Sequence, residues 1–308
     1  MLVIHRDGGR WEDREFSEFP EFMKPGDCLA MNNSRVIPSR LFGNRPGRTG
    51  RIEVFLTEAE SSDRRIWKAL VKPGRKLAVG DRVEFSPTFS AEILDRGEHG
   101  ERTIRLDCEE VDAALEASGH VPLPPYIHRA DTANDKERYQ TVFAKDPGSV
   151  AAPTAGLHFT RELLDECTTR GALTAQVTLH VGLGTFQPIR EEEIEDNHLH
   201  YERFHIAAKE WDRIENAQRV IAIGTTSVRT IETAAGTRKL SGTTDIFIYP
   251  GYQFRRVNAL LTNFHLPQSS LLLLVCAFGG PELMMDAYRH AVREQYRFFS
   301  YGDCMLIV

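Results

Sequence analysis

Hydrophobic and polar positions divide the chain into two regimes. From residue 51 to about 107 apolar and polar residues alternate in short runs, RIEVFLTE, RRIWKALVK, RVEFSPT, SAEILD and RTIRLD. Gly74, Gly80, Pro87 and the hairpin-like RGEHGER separate them. A period of two with turn residues between the runs predicts antiparallel strands. About six such strands with no helix between them predict a small closed barrel, because closure leaves no exposed edge. After VPLPPYI (121–127) the pattern becomes strand, glycine-rich loop, helix, repeated to the end. Leu163, Leu164 and Cys167 have helical spacing, as do Leu283, Ala287 and Ala291, and residues 305–308 read as a buried strand. Cys28 to Met31 is a further apolar strand with a polar exit, NNSRVIP. The expected fold class is therefore α/β, a larger α/β domain with an inserted small antiparallel β-barrel domain. Residues 1–43 and 131–308 would form the α/β catalytic domain, 44–130 the barrel, and the polar segment 131–137 a linker.

Within the α/β part, VIAIGTTSVRTIE (220–232) is the most informative stretch. Ile221, Ala222 and Ile223 predict a buried strand, Gly224 a sharp exit, and Thr225, Thr226 and Ser227 a capped helix start whose free N–H groups would face an anion or polar ligand. It lacks the ending of a phosphate-binding P-loop and the spaced glycines of a dinucleotide site. A capped connection with no ligand is the plain alternative. Three other segments place glycine, histidine and hydroxyl residues together at strand ends: VAAPTAGLHFT (150–160) with Thr154, Gly156 and His158, TLHVGLGTFQPIR (178–190) with His180, Gly182, Gly184 and Thr185, and 244–270 with Asp245 and His265. In an open α/β sheet ligands bind beyond the carboxyl ends of the strands, so these loops predict one shared site.

Composition narrows the partners. The five cysteines have no C-x-x-C spacing and read as reduced, mostly buried thiols. His198, His200 and Glu202 invite a metal reading, but alternate residues on a strand do not fix a tetrahedral shell, and no metal is expected. The longest apolar run, 271–278, is far below the roughly 20 residues a membrane helix needs. With no charged-then-apolar leader, the expectation is a cytoplasmic protein without a membrane partner. The net charge of −6 argues against nucleic acid, yet residues 40–76 carry ten Lys and Arg against Glu53, Glu58, Glu60 and Asp63. That stretch is a candidate RNA-binding face. Arg255 and Arg256 form a smaller basic pair near the expected crevice.

The strings NNSRVIPSRLFG (32–43), VPLPPYI, RYQTVFAKDPGSVAAPTAGLHFT (138–160), TLHVGLGTFQPIR, HLHYERFHI (198–206), IGTTSVRTIE, the segment 244–280 and the terminal YRFFSYGDCMLI resemble those of the S-adenosylmethionine:tRNA ribosyltransferase-isomerase family. The resemblance spans nearly the whole chain from about Lys24 onward, and its motifs are long and idiosyncratic. It implies transfer and isomerisation of the ribosyl part of S-adenosylmethionine onto 7-aminomethyl-7-deazaguanine in a tRNA anticodon, giving epoxyqueuosine, adenine and methionine. The partners implied are tRNA and S-adenosylmethionine, the latter as substrate, with no separate cofactor; a monomer is expected. Members of that family carry a leading segment, with a Pro and an Arg-x-x-Ser-Arg-Leu pattern, ahead of the point where this chain opens at MLVIHRDGGRW. The alternative is then a tRNA-binding homologue impaired in transfer. Methyl transfer from the same donor ranks third, since no glycine-rich first strand-loop is present.

For the implied reaction, a sulfonium acidifies the adjacent C5′ hydrogens, and a positioned base that removes one prepares loss of adenine. Histidine, with an ordinary pKa of about 6.5, suits such transfers. The candidate bases are His158, His180 and His265, with Asp245 as a carboxylate alternative that could also balance the sulfonium. The candidate binding residues are Arg35, Thr154, Gly156, Gly182, Gly184, Thr185, Thr225, Thr226, Ser227, Arg229 and Glu232, the two arginines as forked donors to a carboxylate or phosphate.

Overall fold

The computed structural model describes residues 1–124, 126–127, 129–182, 189 and 193–308, the side chain of Lys76 aside. Its strands are β1 (Leu2–His5), β2 (Arg10–Asp13), β3 (Asp27–Asn32), β4 (Ser34–Val36), β5 (Arg40–Asn44), β6 (Arg51–Ala59), β7 (Ile66–Lys72), β8 (Arg82–Ser86), β9 (Phe89–Arg96), β10 (Glu101–Asp107), β11 (Asp146–Ser149), β12 (Leu173–Leu179), β13 (Glu202–His205), β14 (Arg219–Ile223), β15 (Ser241–Thr244), β16 (Ala259–Asn263) and β17 (Cys304–Ile307). The helices are α1 (Val111–Ser118), α2 (Ala133–Arg138), α3 (Arg161–Thr169), α4 (Ala208–Asn216), α5 (Thr225–Thr237), α6 (Ser270–Gly279) and α7 (Pro281–Arg293). The chain divides into two units, Met1–Ser34 with Gln140–Asp146 and Ala152–Val308, and Arg35–Tyr139 with Pro147–Ala151.

The first unit is built on a nine-stranded mixed sheet in the order β15-β13-β12-β3-β14-β16-β17-β1-β2. Its centre, β12-β3-β14-β16, is wholly parallel. Strands covered on both faces need apolar residues at consecutive positions, which is why Leu29-Ala30-Met31 and Val220 to Ile223 are continuous apolar runs. On one face Leu29, Met31, Ile221, Ile223 and Leu261 pack against Phe159 and Cys167 of the α3 region. On the other lies α5, hydrogen-bonded through Thr226 to Asn32, whose side chain alternates away from that of Met31.

From β3 the chain passes through α3 to β12 on one side, and from β14 through α5 to β16 on the other. The two crossover helices lie on opposite faces, so the connections diverge between β3 and β14. That is a topological switch point, where a crevice opens beyond the carboxyl ends of the strands.

The second unit is a closed six-stranded antiparallel barrel in the order β10-β7-β6-β5-β8-β9. Alternation points Leu41, Val54, Trp67, Val83, Ile93 and Ile104 inward to a buried core. Closure occurs where β5 meets β8 at Asn44 and Glu84, and a Cβ on Gly43 would lie 2.4 Å from the Glu84 carbonyl oxygen. Only glycine lets the two backbones approach there.

The barrel opens at Arg40, ahead of the boundary expected at 44. Residues 131–137, expected as a linker, are mostly helix α2: Thr132 and Asp135 form a reciprocal capping box, and Arg129 pairs with Asp135 and holds its carboxyl well below the usual range. The segment that opens the 244–270 region is the polar edge strand β15 at 241–244, which pairs with β13. Among the described residues no single helix is long and apolar enough to cross a membrane.

Candidate active site

The carboxyl ends of β3, β12, β14 and β16 lie along one edge of the sheet. The amino end of β13 and the carboxyl end of β15 join them, because these two strands run antiparallel in the ladder. Asn32 is the clamp at the switch point. Its Nδ2 donates to the Leu179 carbonyl at 3.0 Å and to Thr226 Oγ1 at 3.2 Å, while its Oδ1 accepts from the N–H groups of Leu179 and Ser34, each at 3.1 Å. One buried amide thus ties the ends of β3 and β12 to the first turn of α5. Asn33 beside it accepts from Thr178 Oγ1 at 2.7 Å.

Helix α5 starts at Gly224, whose φ of 88° suits glycine alone. The expected capping role of Thr225 and Ser227 is not what these side chains do. The helix begins one residue earlier, so they lie in its first turn, and Ser227 Oγ donates back to the Ile223 carbonyl at 2.8 Å. Among the described residues no acceptor takes the first-turn N–H groups of Thr225, Thr226 and Ser227, and no partner holds Thr225 Oγ1. The end of the helix therefore presents a partial positive charge at the crevice.

Arg229, one turn on, is 3% exposed and its Nη1 pairs with the Glu202 carboxylate, itself 4% exposed. Glu202 Oε1 accepts from the Gly182 N–H at 2.9 Å. Arg229 was expected to grip a ligand anion; instead its charge is matched inside the protein, where it anchors β13 and the exit of β12. Its Nε and Nη2 have no partner among the described residues.

The three histidines share the edge but not one place. Thr262 and Asn263 are successive residues of β16 and point to opposite faces. His265 Nε2 meets Thr262 Oγ1 at 2.9 Å and His158 Nε2 meets Asn263 Nδ2 at 3.3 Å, so these two rings lie on opposite faces. Burial pulls each down to about 4, which keeps both imidazoles neutral near pH 7. His158 also packs its ring against Phe16, with centroids 5.1 Å apart. His180 continues the β12 ladder by one residue, its N–H donating to the Arg203 carbonyl at 3.1 Å. It lies three strand spacings from the end of β16, about 14 Å at about 4.8 Å each, so His180 and His158 cannot serve one atom.

The 3-10 turn Thr154–His158 sits beside Gly224, with Ala155 Cβ 3.5 Å from where a Cβ there would be, so Thr154 borders the crevice. Gly156 is a packing glycine: a Cβ would lie 2.6 Å from Phe143 and 2.7 Å from Thr141. Asp245 is exposed and follows β15 at the same edge. Gly184 and Thr185 lie outside the described residues. Arg35 belongs to the second unit, where its Nη2 is 3.6 Å from Glu116.

Glu232 does not line the crevice. It is buried and accepts from Tyr252 Oη and the backbone N–H groups of Arg255, Arg256 and Val257, which precede β16 and so lie at the opposite edge of the sheet. Arg255 and Arg256 are displaced with it, and Arg256 caps the end of α4 through the Ala217 carbonyl at 2.6 Å. The residues that sequence reasoning missed, Asn32, Asn263 and the pairing role of Glu202, are polar groups buried at strand ends. Only the tandem asparagine after an apolar run signalled the first.

Residues 1–307 match the protein family described as queuosine biosynthesis protein. The S-adenosylmethionine:tRNA ribosyltransferase-isomerase of Solibacter usitatus is 57% identical to this chain over 325 aligned residues, covering 100% of this chain and 92% of that protein. The protein of that name from Desulforamulus reducens is 46% identical over 318 residues, with the same coverages. A crystal structure of S-adenosylmethionine tRNA ribosyltransferase from Thermotoga maritima is 36% identical, covers 100% of this chain and 91% of its own, and superposes with a TM-score of 0.54. A match over the full length, to relatives of nearly equal length, means that this chain belongs to the queuosine biosynthesis protein family.

Proposed function

We propose that the protein transfers and isomerises the ribosyl moiety of S-adenosylmethionine onto 7-aminomethyl-7-deazaguanine in the anticodon of tRNA, yielding epoxyqueuosine-tRNA with release of adenine and methionine. The observation that carries this reading is the switch-point crevice, whose wall is the open N-terminus of α5 clamped by Asn32. The carboxylate of the methionine moiety is matched in charge by the first-turn N–H groups and Thr225 Oγ1. The donor is consumed, so no separate cofactor enters the scheme. A tRNA substrate places the work in the cytoplasm, and the protein acts there as a monomer.

Among the candidate bases His180 leads. Its place favours it: His180 extends β12 beside Gly182, at the mouth of the Asn32 clamp, whereas His158 and His265 sit by the end of β16 against Asn263 and Thr262. Its role is to take a C5′ proton acidified by the sulfonium, with Asp245 balancing the cation from the end of β15, two strands along the same edge. Arg229 acts through Glu202 and Gly182 and is a positioning residue. Purified protein incubated with S-adenosylmethionine and a tRNA bearing the deazaguanine precursor should release adenine and methionine. S-adenosylhomocysteine instead would mean methyl transfer, and retained tRNA binding with neither product would mean a homologue impaired in transfer; either result sinks the proposal.

A further inference from the structure

Within the barrel unit the basic residues sort by end. At the end formed by the β6–β7 turn the cations are matched: Arg64 pairs with Asp112, Arg65 donates to the Glu109 carbonyl at 2.9 Å, and Lys68 lies 3.8 Å from Glu58 and 3.5 Å from Glu60. At the other end the β5–β6 hairpin, NRPGRTGR (44–51), meets the segment after β7. The register Glu53↔Lys72 puts Lys72 and Arg75 at that same end. Arg48, Arg51, Lys72 and Arg75 are exposed and have no ion pair among the described residues. Arg45 is matched by Asp81.

A cavity of about 490 Å³ opens there, lined by Arg45, Gly47, Arg48, Thr49, Gly50, Arg51, Ile52 and Pro73, with no carboxylate in its wall. Glu84 is exposed on β8 opposite Asn44, and the Asp81 carboxylate that pairs with Arg45 also feels the charge of Arg48. The Arg51 guanidinium lies 3.9 Å from the centroid of the Phe42 ring, which also makes a T-shaped contact with His120, centroids 5.1 Å apart. Stacking fixes the guanidinium in place without neutralising it. The hairpin backbone is open as well, with nothing within 4 Å of where a Cβ on Gly47 or Gly50 would sit. A held guanidinium fork, bare backbone and a wall without carboxylates suit phosphodiesters, whose two non-bridging oxygens can accept the paired N–H groups of an arginine.

We infer that this hairpin cavity is a docking site for the sugar–phosphate backbone of the RNA substrate, with Arg48 and Arg51 each contacting a phosphate. The inference rests on the reading of the protein as a tRNA-modifying enzyme, and it adds which surface holds the RNA and through which groups. Affinity for the precursor tRNA should be measured across a salt series for the wild type, for Arg48→Ala/Arg51→Ala and for a Lys68→Ala control. Each lost phosphate contact removes about 0.7 to 0.9 from the slope of log K against log salt, so the double variant should lose about 1.4 to 1.8, with an affinity about tenfold or more weaker at low salt. The Lys68→Ala slope should match the wild type. Thermal unfolding of the double variant should match the wild type too, because both arginines are exposed; if it does not, Arg48→Gln/Arg51→Gln carries the same slope test. Wild-type slope and affinity in a folded double variant overturn the inference. If the wild type releases adenine while the double variant binds normally, this inference alone fails. If the wild type neither binds tRNA nor releases adenine, the functional reading fails and takes the inference with it.

Discussion

The sheet edge of the α/β unit and the hairpin end of the barrel unit handle charge in opposite ways. At the sheet edge the central charge and the clamp amide are buried and held within the protein, Arg229 by Glu202 and Asn32 by two strand ends and a helix, beside the open first turn of α5. At the hairpin Arg45 pairs with Asp81, but Arg48 and Arg51 are exposed and make no ion pair among the described residues, Arg51 being held by a ring face. Buried matched groups fix geometry and are screened little by salt, whereas exposed unmatched ones attract a polyanion in a salt-dependent way. The first arrangement suits positioning for chemistry and the second suits capture.

The comparison breaks most sharply at Glu202. Glu202→Ala leaves the Arg229 charge buried and unpaired and should destabilise the fold by about 3 to 5 kcal/mol, read by urea unfolding. A loss below about 1 kcal/mol, that of an exposed pair, would erase the contrast. Next comes His180→Ala. With folding and tRNA affinity intact, it should lower turnover by about 10² to 10⁴, as removal of a general base does. A near-normal rate would move the base elsewhere. Asn32→Ala should cost about 1 to 3 kcal/mol of stability and raise KM for the donor, since buried donors and acceptors on β12 and α5 lose their partner. Unchanged KM would detach the clamp from the donor site.

A pH series sharpens the same contrast. His158 and His265 are pulled below the ordinary histidine value to about 4, so the unfolded chain binds protons more readily than the folded one between about 6.5 and 4. The stability tied to these neutral rings is fully present above about pH 6.5 and should be lost as pH falls towards 4. A His158→Gln variant should show a shallower loss across that window, and an unchanged profile would refute the assignment. The smallest effect belongs to Lys68→Ala, about 0 to 1 kcal/mol in stability, because its partners are exposed.

Much of the architecture was legible in the chain. The alternation of RIEVFLTE and its neighbours marked barrel strands, and the continuous apolar run before Gly224 marked a buried strand, because each pattern reports how many faces of a strand are covered. The site was legible only in part. Gly224, the first turn of α5 and the strand-end histidines were visible as motifs. Glu232 was read into the crevice because it lies on the same helix as Thr225, yet two turns of helix carry it to the opposite edge of the sheet. Arg229 read as a ligand donor because its partner Glu202 is distant in sequence.

By itself the sequence determined where strands, turns and helices fall and which family the chain belongs to, since propensity, period and motif are local properties of the residue order. Tertiary structure alone decided which polar side chains are matched and which are left open. That depends on strand order and register: they bring Glu202 to Arg229 and Asn32 to Thr226, send His158 and His265 to opposite faces, and leave Arg48 and Arg51 exposed without an ion pair among the described residues.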